Sequence, residues 1–223
     1  GNRQPNVVRV LACLVVSLAL AACSGPRAPD LATDGLVTVE LDGFTASIDM
    51  AEFDESALSE QRLRLTTHCA DNVAYSQVVV PLLGFDGKRI APYVDVFWLP
   101  RDWNGRLALF AHGYVPPSAG GSASDFLELI AADPAQLESI DLFLCAGNAL
   151  GVSSYSARGY AVQQGIAETH LMNAVFPIVF WRRPSETYVF GSSLGGLITV
   201  ALAEGFPRRY DGAMPLCGPL GGS

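Results

Sequence analysis

The feature that most constrains this chain is the stretch from Pro184 to Gly205, P-S-E-T-Y-V-F-G-S-S-L-G-G-L-I-T-V-A-L-A-E-G. Thr187, Tyr188, Val189 and Phe190 are β-formers and predict a short buried strand. Leu194, Leu197, Ile198, Ala201 and Leu202 then recur at helical spacing, and Gly205 followed by Pro207 predicts the stop. Between them lies Gly191-Ser192-Ser193-Leu194-Gly195, a G-x-S-x-G. A turn that tight lifts one serine above a sheet on a strained backbone, so side chains two positions either way must be nearly absent. That spacing selects Ser193 as a nucleophile, because Ser192 would need a glycine where Phe190 stands.

Residues 1–22 have the pattern of an export signal. Arg3 and Arg9 make a basic start, and Val10 to Ala22 is an apolar run broken only by Ser17. The run is too short to span a bilayer as a mature helix but suits a signal core. It ends in Leu20-Ala21-Ala22-Cys23, which resembles the lipobox of bacterial lipoproteins. That resemblance implies cleavage before Cys23, lipid on its sulfur and a membrane anchor in the cell envelope. Ser24, where lipoproteins retained at the inner membrane have aspartate, favours the outer membrane, facing periplasm or surface. The other reading is an ordinary secretory signal; both export the protein. Residues 23–34 then serve as lipidated cysteine and Pro/Gly/Ala tether, and 35–223 form one domain. Gly1 stands where a methionine is expected, so the start reads as cut.

Export would leave Cys69, Cys145 and Cys217 in an oxidising compartment, an odd number that predicts one free thiol. The net charge of −8 argues against nucleic acid, since no basic cluster offsets it, and loss of Arg3 and Arg9 makes the remainder more acidic still. No H-x-x-x-H, C-x-x-C or carboxylate cluster points to a metal, and no Gly-rich phosphate cradle points to a nucleotide, so no cofactor is expected.

The alternation from Leu36 to Met50 predicts an antiparallel hairpin around Asp42-Gly43. A polar helix is expected over Glu52 to Leu65, strands over Val78–Leu83, Tyr93–Leu99 and Arg106–Ala111, and a turn at Asp102-Trp103-Asn104-Gly105. Asp125–Ala132 reads as a helix with Phe126, Leu129 and Ile130 on one face, and Leu150–Ser154 as a central parallel strand. Tyr155 and Tyr160 follow at its carboxyl end, where such folds place ligands, and are candidate substrate contacts. Val162–Phe180 reads as an amphipathic helix with Ala167, Leu171, Ala174, Val175 and Ile178 as its apolar stripe. Asp211–Leu216 predicts a strand after the nucleophile helix.

Strand, W-N-G turn, strand, His112-Gly113-Tyr114, and later strand–G-x-S-x-G–helix together resemble the α/β-hydrolase superfamily. Within it, I-A-P-Y-V-D-V-F-W-L-P-R-D-W-N-G-R-L-A-L-F-A-H-G-Y is similar to the secreted bacterial esterase and prolyl-oligopeptidase-like branch. The resemblance covers about Ile90 to Gly218 and implies a mostly parallel sheet flanked by helices. Acyl transfer builds negative charge on a carbonyl oxygen, and fixed N–H donors aimed there contribute the largest rate effect. One donor is expected from Leu194, next after the nucleophile at a helix start. The other, by resemblance, is the backbone N–H of Tyr114. His112 then shapes that loop and is not the base, and His170 reads as a structural histidine.

Serine needs a base, itself oriented by a carboxylate. After Ser193 the sequence offers Glu204 and Asp211, neither well placed, and no histidine. The superfamily order is nucleophile, acid, histidine, so the domain is expected to be truncated at its C-terminus, with acid and base outside it. Three readings follow: a lipid-anchored serine hydrolase of small ester or amide substrates, most simply a carboxylic ester hydrolase; a peptidase or acyltransferase on the same machinery; and a non-catalytic envelope lipoprotein using the fold to bind or support. Oligomeric state is left open.

Overall fold

The structure is a computed structural model that describes residues 35–49, 75–85, 89–118 and 123–221. The signal segment, Cys23 and the tether, the helix expected over 52–65, and His68 and Cys69 lie outside the described residues.

β1 (Leu36–Leu41) and β2 (Phe44–Asp49) form the expected hairpin, turning at Asp42 and Gly43 with Leu41 opposite Phe44. Their alternation buries Val37, Val39, Ala46 and Ile48. β3 (Tyr75–Phe85) runs beyond the expected strand at both ends and pairs antiparallel with β4 (Ile90–Pro100) from Tyr75↔Pro100 to Phe85↔Ile90. The W-N-G turn into β5 (Arg106–Ala111) is tied down residue by residue. Asn104 Oδ1 accepts the Arg106 N–H at 2.9 Å, its Nδ2 donates to Ala146 O at 3.0 Å, and Trp103 Nε1 donates to Arg106 O at 2.7 Å. β6 (Ala149–Ser153), β7 (Glu186–Ser192) and β8 (Gly212–Leu216) complete one eight-stranded sheet of order β1-β2-β3-β4-β6-β5-β7-β8.

The α/β class with flanking helices is as expected, but the sheet is mixed: antiparallel from β1 through β4 to β6, parallel from β6 through β5 and β7 to β8. β6 is therefore central yet parallel only to β5, because the long β3–β4 hairpin lies along its other side. On one face, α1 (Ala123–Ala131) and α2 (Pro134–Cys145) press Phe126, Ile130, Ile140 and Leu144 onto Trp98, Ala108 and Val152. On the other, α3 (Val162–Phe180) and α4 (Leu194–Gly205) cover Phe97, Leu107, Leu109 and Val189 with Leu171, Met172, Phe176, Ile198 and Leu202. Each of these leucine, isoleucine, valine, phenylalanine and methionine side chains, once fully buried, contributes about 1.5–3 kcal/mol.

Three sequence expectations need correction. Leu129 is 41% exposed, while Phe126 and Ile130 of α1 turn to the core. α2 was not anticipated, although Pro134 at its first position and Leu137, Ile140 and Leu144 beyond it are helix signals. α3 buries Glu168, Thr169, His170, Met172 and Phe176 besides Leu171 and Val175, so its buried arc is wider than one stripe. It is covered from two sides, touching β1, β2, β5 and β6 below and α4 beside it.

His170 is a structural residue of that arc. Its Nε2 meets Asp42 Oδ2 at 3.0 Å and its Nδ1 meets the Tyr210 hydroxyl at 2.9 Å, while Arg209 Nε and Nη2 donate to Asp42 at 2.8 and 3.0 Å. Burial pulls the imidazole below its ordinary pKa despite the neighbouring Asp42 carboxylate. The cluster pins the β1–β2 turn to α3 and to the loop after α4. Of the cysteines, Cys145 is disulfide-bonded and Cys217 is an exposed free thiol.

Candidate active site

β7 ends at Ser192 and α4 begins at Leu194, so Ser193 is the single residue of the turn between them. Its backbone sits at φ 56°, ψ −122°, a conformation that a non-glycine residue holds only at a cost of about 1–3 kcal/mol. The surroundings impose it. The Ser193 N–H donates to Leu216 O at 2.9 Å, and its carbonyl accepts from the N–H of Gly196 at 3.0 Å. The two motif glycines are there for close approach. A Cβ at Gly191 would lie 2.3 Å from Ala111 O, and one at Gly195 only 1.9 Å from the same atom. The elbow is thus wedged against the last carbonyl of β5, and Ser193 is left exposed above the sheet.

Leu194 opens a twelve-residue helix whose first N–H groups have no acceptor within the helix and carry its positive end. On the other side, β5 runs into His112-Gly113-Tyr114. A Cβ at Gly113 would stand 3.8 Å from Ser193 Cβ, which places this loop beside the serine. Neither the Leu194 nor the Tyr114 N–H enters a turn, loop or cap bond between backbone groups among the described residues. The start of α4 and the loop after β5 therefore both lie beside the serine.

His112 is buried, and its Nδ1–H donates to Gly113 O at 2.7 Å. Its ring stacks on Tyr155 with centroids 3.9 Å apart and packs on Phe126 at 5.7 Å. Burial drives its pKa down to about 4, with Arg158 adding to the effect, so the ring is neutral at pH 7. Among the described residues neither His112 nor His170 bonds to Ser193. Asp211 accepts the Thr187 N–H at 2.7 Å, at the opposite end of β7, about 20 Å from Ser193 at ~3.3 Å per strand residue. Glu204 lies at the far end of α4.

Tyr155 is not a surface residue. It is 3% exposed, with a left-handed backbone at φ 57°, and its ring supports His112 from behind. It was expected as a substrate contact; the sharp turn after β6 points it inward instead. Tyr160 does reach solvent, at 59% exposed. The isolated antiparallel bridge Val115↔Gly159 sets Tyr160 across from Tyr114, itself 54% exposed. What the sequence reading lacked was Glu168, whose carboxylate accepts from the N–H of Ser156 at 2.8 Å and from its hydroxyl. A glutamate inside an apolar helical stretch was the signal available. No group of three or more His, Cys, Asp or Glu among the described residues is placed to hold a metal.

The sheet order and the strand–turn–helix at Ser193 make this an α/β-hydrolase-like fold. No family model and no curated protein matches the chain. Among solved structures, a ligand-bound form of the rice cell wall degrading esterase LipA from Xanthomonas oryzae is similar at 16% identity and a TM-score of 0.48 over 67% of this chain and 43% of that one. A thermostable carboxyl esterase from Bacillus coagulans is similar at 16% identity and a TM-score of 0.45, over 65% of this chain and 44% of its own. A probable hydrolytic enzyme from Pseudomonas aeruginosa PAO1 is similar at 20% identity and a TM-score of 0.42, over 63% and 41%. The chain spans less than half the length of each of these structures.

Proposed function

We propose that the protein is a serine hydrolase, of the carboxylic ester hydrolase type, acting through an acyl-enzyme on Ser193. The observation that carries the reading is the strained Ser193 backbone, held by Gly191 and Gly195 against Ala111 O. A merely connecting turn has no need of such a conformation. Ser193 Oγ attacks the substrate carbonyl carbon as its proton passes to a base. The Leu194 and Tyr114 N–H groups take the developing oxyanion. Collapse expels the alcohol, which takes that proton, and water then releases the acid and frees Ser193. The base and its orienting carboxylate are proposed to lie outside the described residues, because none of the described candidates reaches the serine. Tyr160, beside Tyr114, is proposed to contact the substrate.

Among the described residues no imidazole bonds to Ser193, which favours the second reading, a binding or structural module on this fold. The two separate on turnover of a panel of nitrophenyl esters and matched anilides by the complete protein. Ester hydrolysis lost in Ser193→Ala supports the proposal; no turnover, or turnover independent of Ser193, defeats it. Faster anilide than ester cleavage would make it a peptidase. Envelope anchoring through lipid on Cys23 is proposed alongside, supported by L-A-A-C after a basic, apolar start and by a disulfide at Cys145, which suits an oxidising compartment. Cys23→Ser should leave unprocessed precursor or release soluble protein, whereas unchanged membrane fractionation of a processed product contradicts the anchor.

A further inference from the structure

The Tyr114 loop, from the end of β5 at Ala111 to Pro116, has His112 packed on Phe126 of α1 and is further held at one point on each side of Tyr114. On one side His112 stacks on Tyr155 at 3.9 Å; on the other, Val115 O accepts the Gly159 N–H at 2.8 Å. Both supports come from the same segment, the loop between β6 and α3. That loop starts with Tyr155 in a left-handed conformation, which its own backbone does not favour. The next residue ties the loop to α3: Ser156 gives its N–H and its hydroxyl to the two oxygens of Glu168.

Glu168 is 3% exposed, and Gly84 on β3 leaves it room, since a Cβ there would lie 2.8 Å from Glu168 Oε1. The titratable groups that face it are acidic or phenolic: Asp95 and Tyr93 on β4, and Tyr155 in the loop. Burial pushes the Glu168 carboxyl up to about 7. A buried carboxyl beside a second one is a poor choice for stability alone.

We infer that Glu168 is a positioning residue for the oxyanion donor on Tyr114, acting through Ser156 and the loop that carries Tyr155 and Gly159. The inference rests on the reading of Tyr114 as a donor to the Ser193 acyl intermediate. Glutamine in place of Glu168 keeps both bonds, its amide oxygen accepting the Ser156 N–H and its NH₂ donating to the Ser156 oxygen. Alanine keeps neither.

The test compares wild type, Glu168→Ala, Glu168→Gln and Ser156→Ala in the complete protein, reading kcat and KM for a nitrophenyl ester and hydrogen exchange of peptides covering 111–116. A donor displaced by about 1 Å costs on the order of 10²-fold in rate. Glu168→Ala should therefore lower kcat about 10–100-fold with KM within about threefold, and Glu168→Gln should restore most of it. Exchange over 111–116 should quicken in the alanine variant and return to the wild-type rate with glutamine. Where Glu168→Ala does not fold, Ser156→Ala, losing only the hydroxyl bond, should give a smaller loss in the same direction. Wild-type kcat and exchange in Glu168→Ala, or in Ser156→Ala where only that variant folds, overturn the inference, as does a glutamine variant as impaired as alanine. Absence of Ser193-dependent turnover in wild type sinks the hydrolase reading instead, and the exchange rates then decide the positioning by themselves.

Discussion

Substituting Gly195 by alanine would strike the wedge that holds the Ser193 turn. A Cβ at that position would lie 1.9 Å from Ala111 O, 2.7 Å from Ala111 C and 3.0 Å from His112 O, where ordinary contact begins at 3.4 Å. All three atoms are backbone at the end of a strand paired on both sides, so no flexible side chain can give way. Overpacking a core costs about 1–3 kcal/mol when neighbours can adjust. Here the upper end applies, and about 3 kcal/mol lowers the melting temperature of a chain of this size by about 6–12 °C. Gly205→Ala, at the end of the same helix, is the control. Nothing lies within 4 Å of its Cβ, so it should be neutral or gain up to ~1 kcal/mol. Urea and thermal unfolding followed by tryptophan fluorescence read both variants. A Gly195→Ala protein that melts with wild type would refute the wedge.

Three further outcomes follow from the structure. Burial pushes Asp95 and Glu168 upward, and for Glu168, at about 7 against ~4.3 in an unfolded chain, the folded state keeps between about pH 4.5 and 7 a proton the unfolded state has released. The Glu168 contribution to stability is therefore full below about 4.5 and declines as pH rises to 7. Glu168→Gln should gain on wild type by about 2–3 kcal/mol in urea midpoint analysis between pH 5 and 8, and an unchanged difference contradicts the shift. Asp42→Ala leaves the buried His170 Nε2 without its partner and should cost about 1–3 kcal/mol in the same assay, with no effect at Ser193. Iodoacetamide on the native, unreduced protein should modify Cys217 and spare Cys145 until reductant is added; early alkylation of Cys145 contradicts its disulfide.

The parts of the fold that read clearly in the sequence are those where local chemistry and tertiary role agree. The Arg106–Ala111 strand, the Val162–Phe180 helix and the Asp42-Gly43 turn lie where periodicity and turn residues place them. The turn at Ser193 was legible because glycine is demanded twice, at Gly191 and Gly195, by the same carbonyl. The rest depends on partners distant in sequence. Nothing near Tyr155 announces that φ 57° turns it onto His112, and nothing near Leu129 shows that α1 turns it to solvent. Glu168 was passed over because a glutamate within a helical stripe reads as surface. Its burial is set by Ser156 twelve residues earlier and by the opening that Gly84 leaves on β3.

On the proposed mechanism Ser193, and not its neighbour Ser192, carries the acyl group. Both side chains are exposed, so accessibility does not separate them; the backbone does, since Ser192 is still paired with Leu216 in the sheet and Ser193 alone is in the strained turn. The most direct measurement treats the complete protein with a fluorophosphonate probe and locates the adduct by fragmentation mass spectrometry of the peptide that holds both serines. The account predicts a single adduct on Ser193, absent in Ser193→Ala and retained in Ser192→Ala. An adduct on Ser192, or no adduct on either serine, would contradict it.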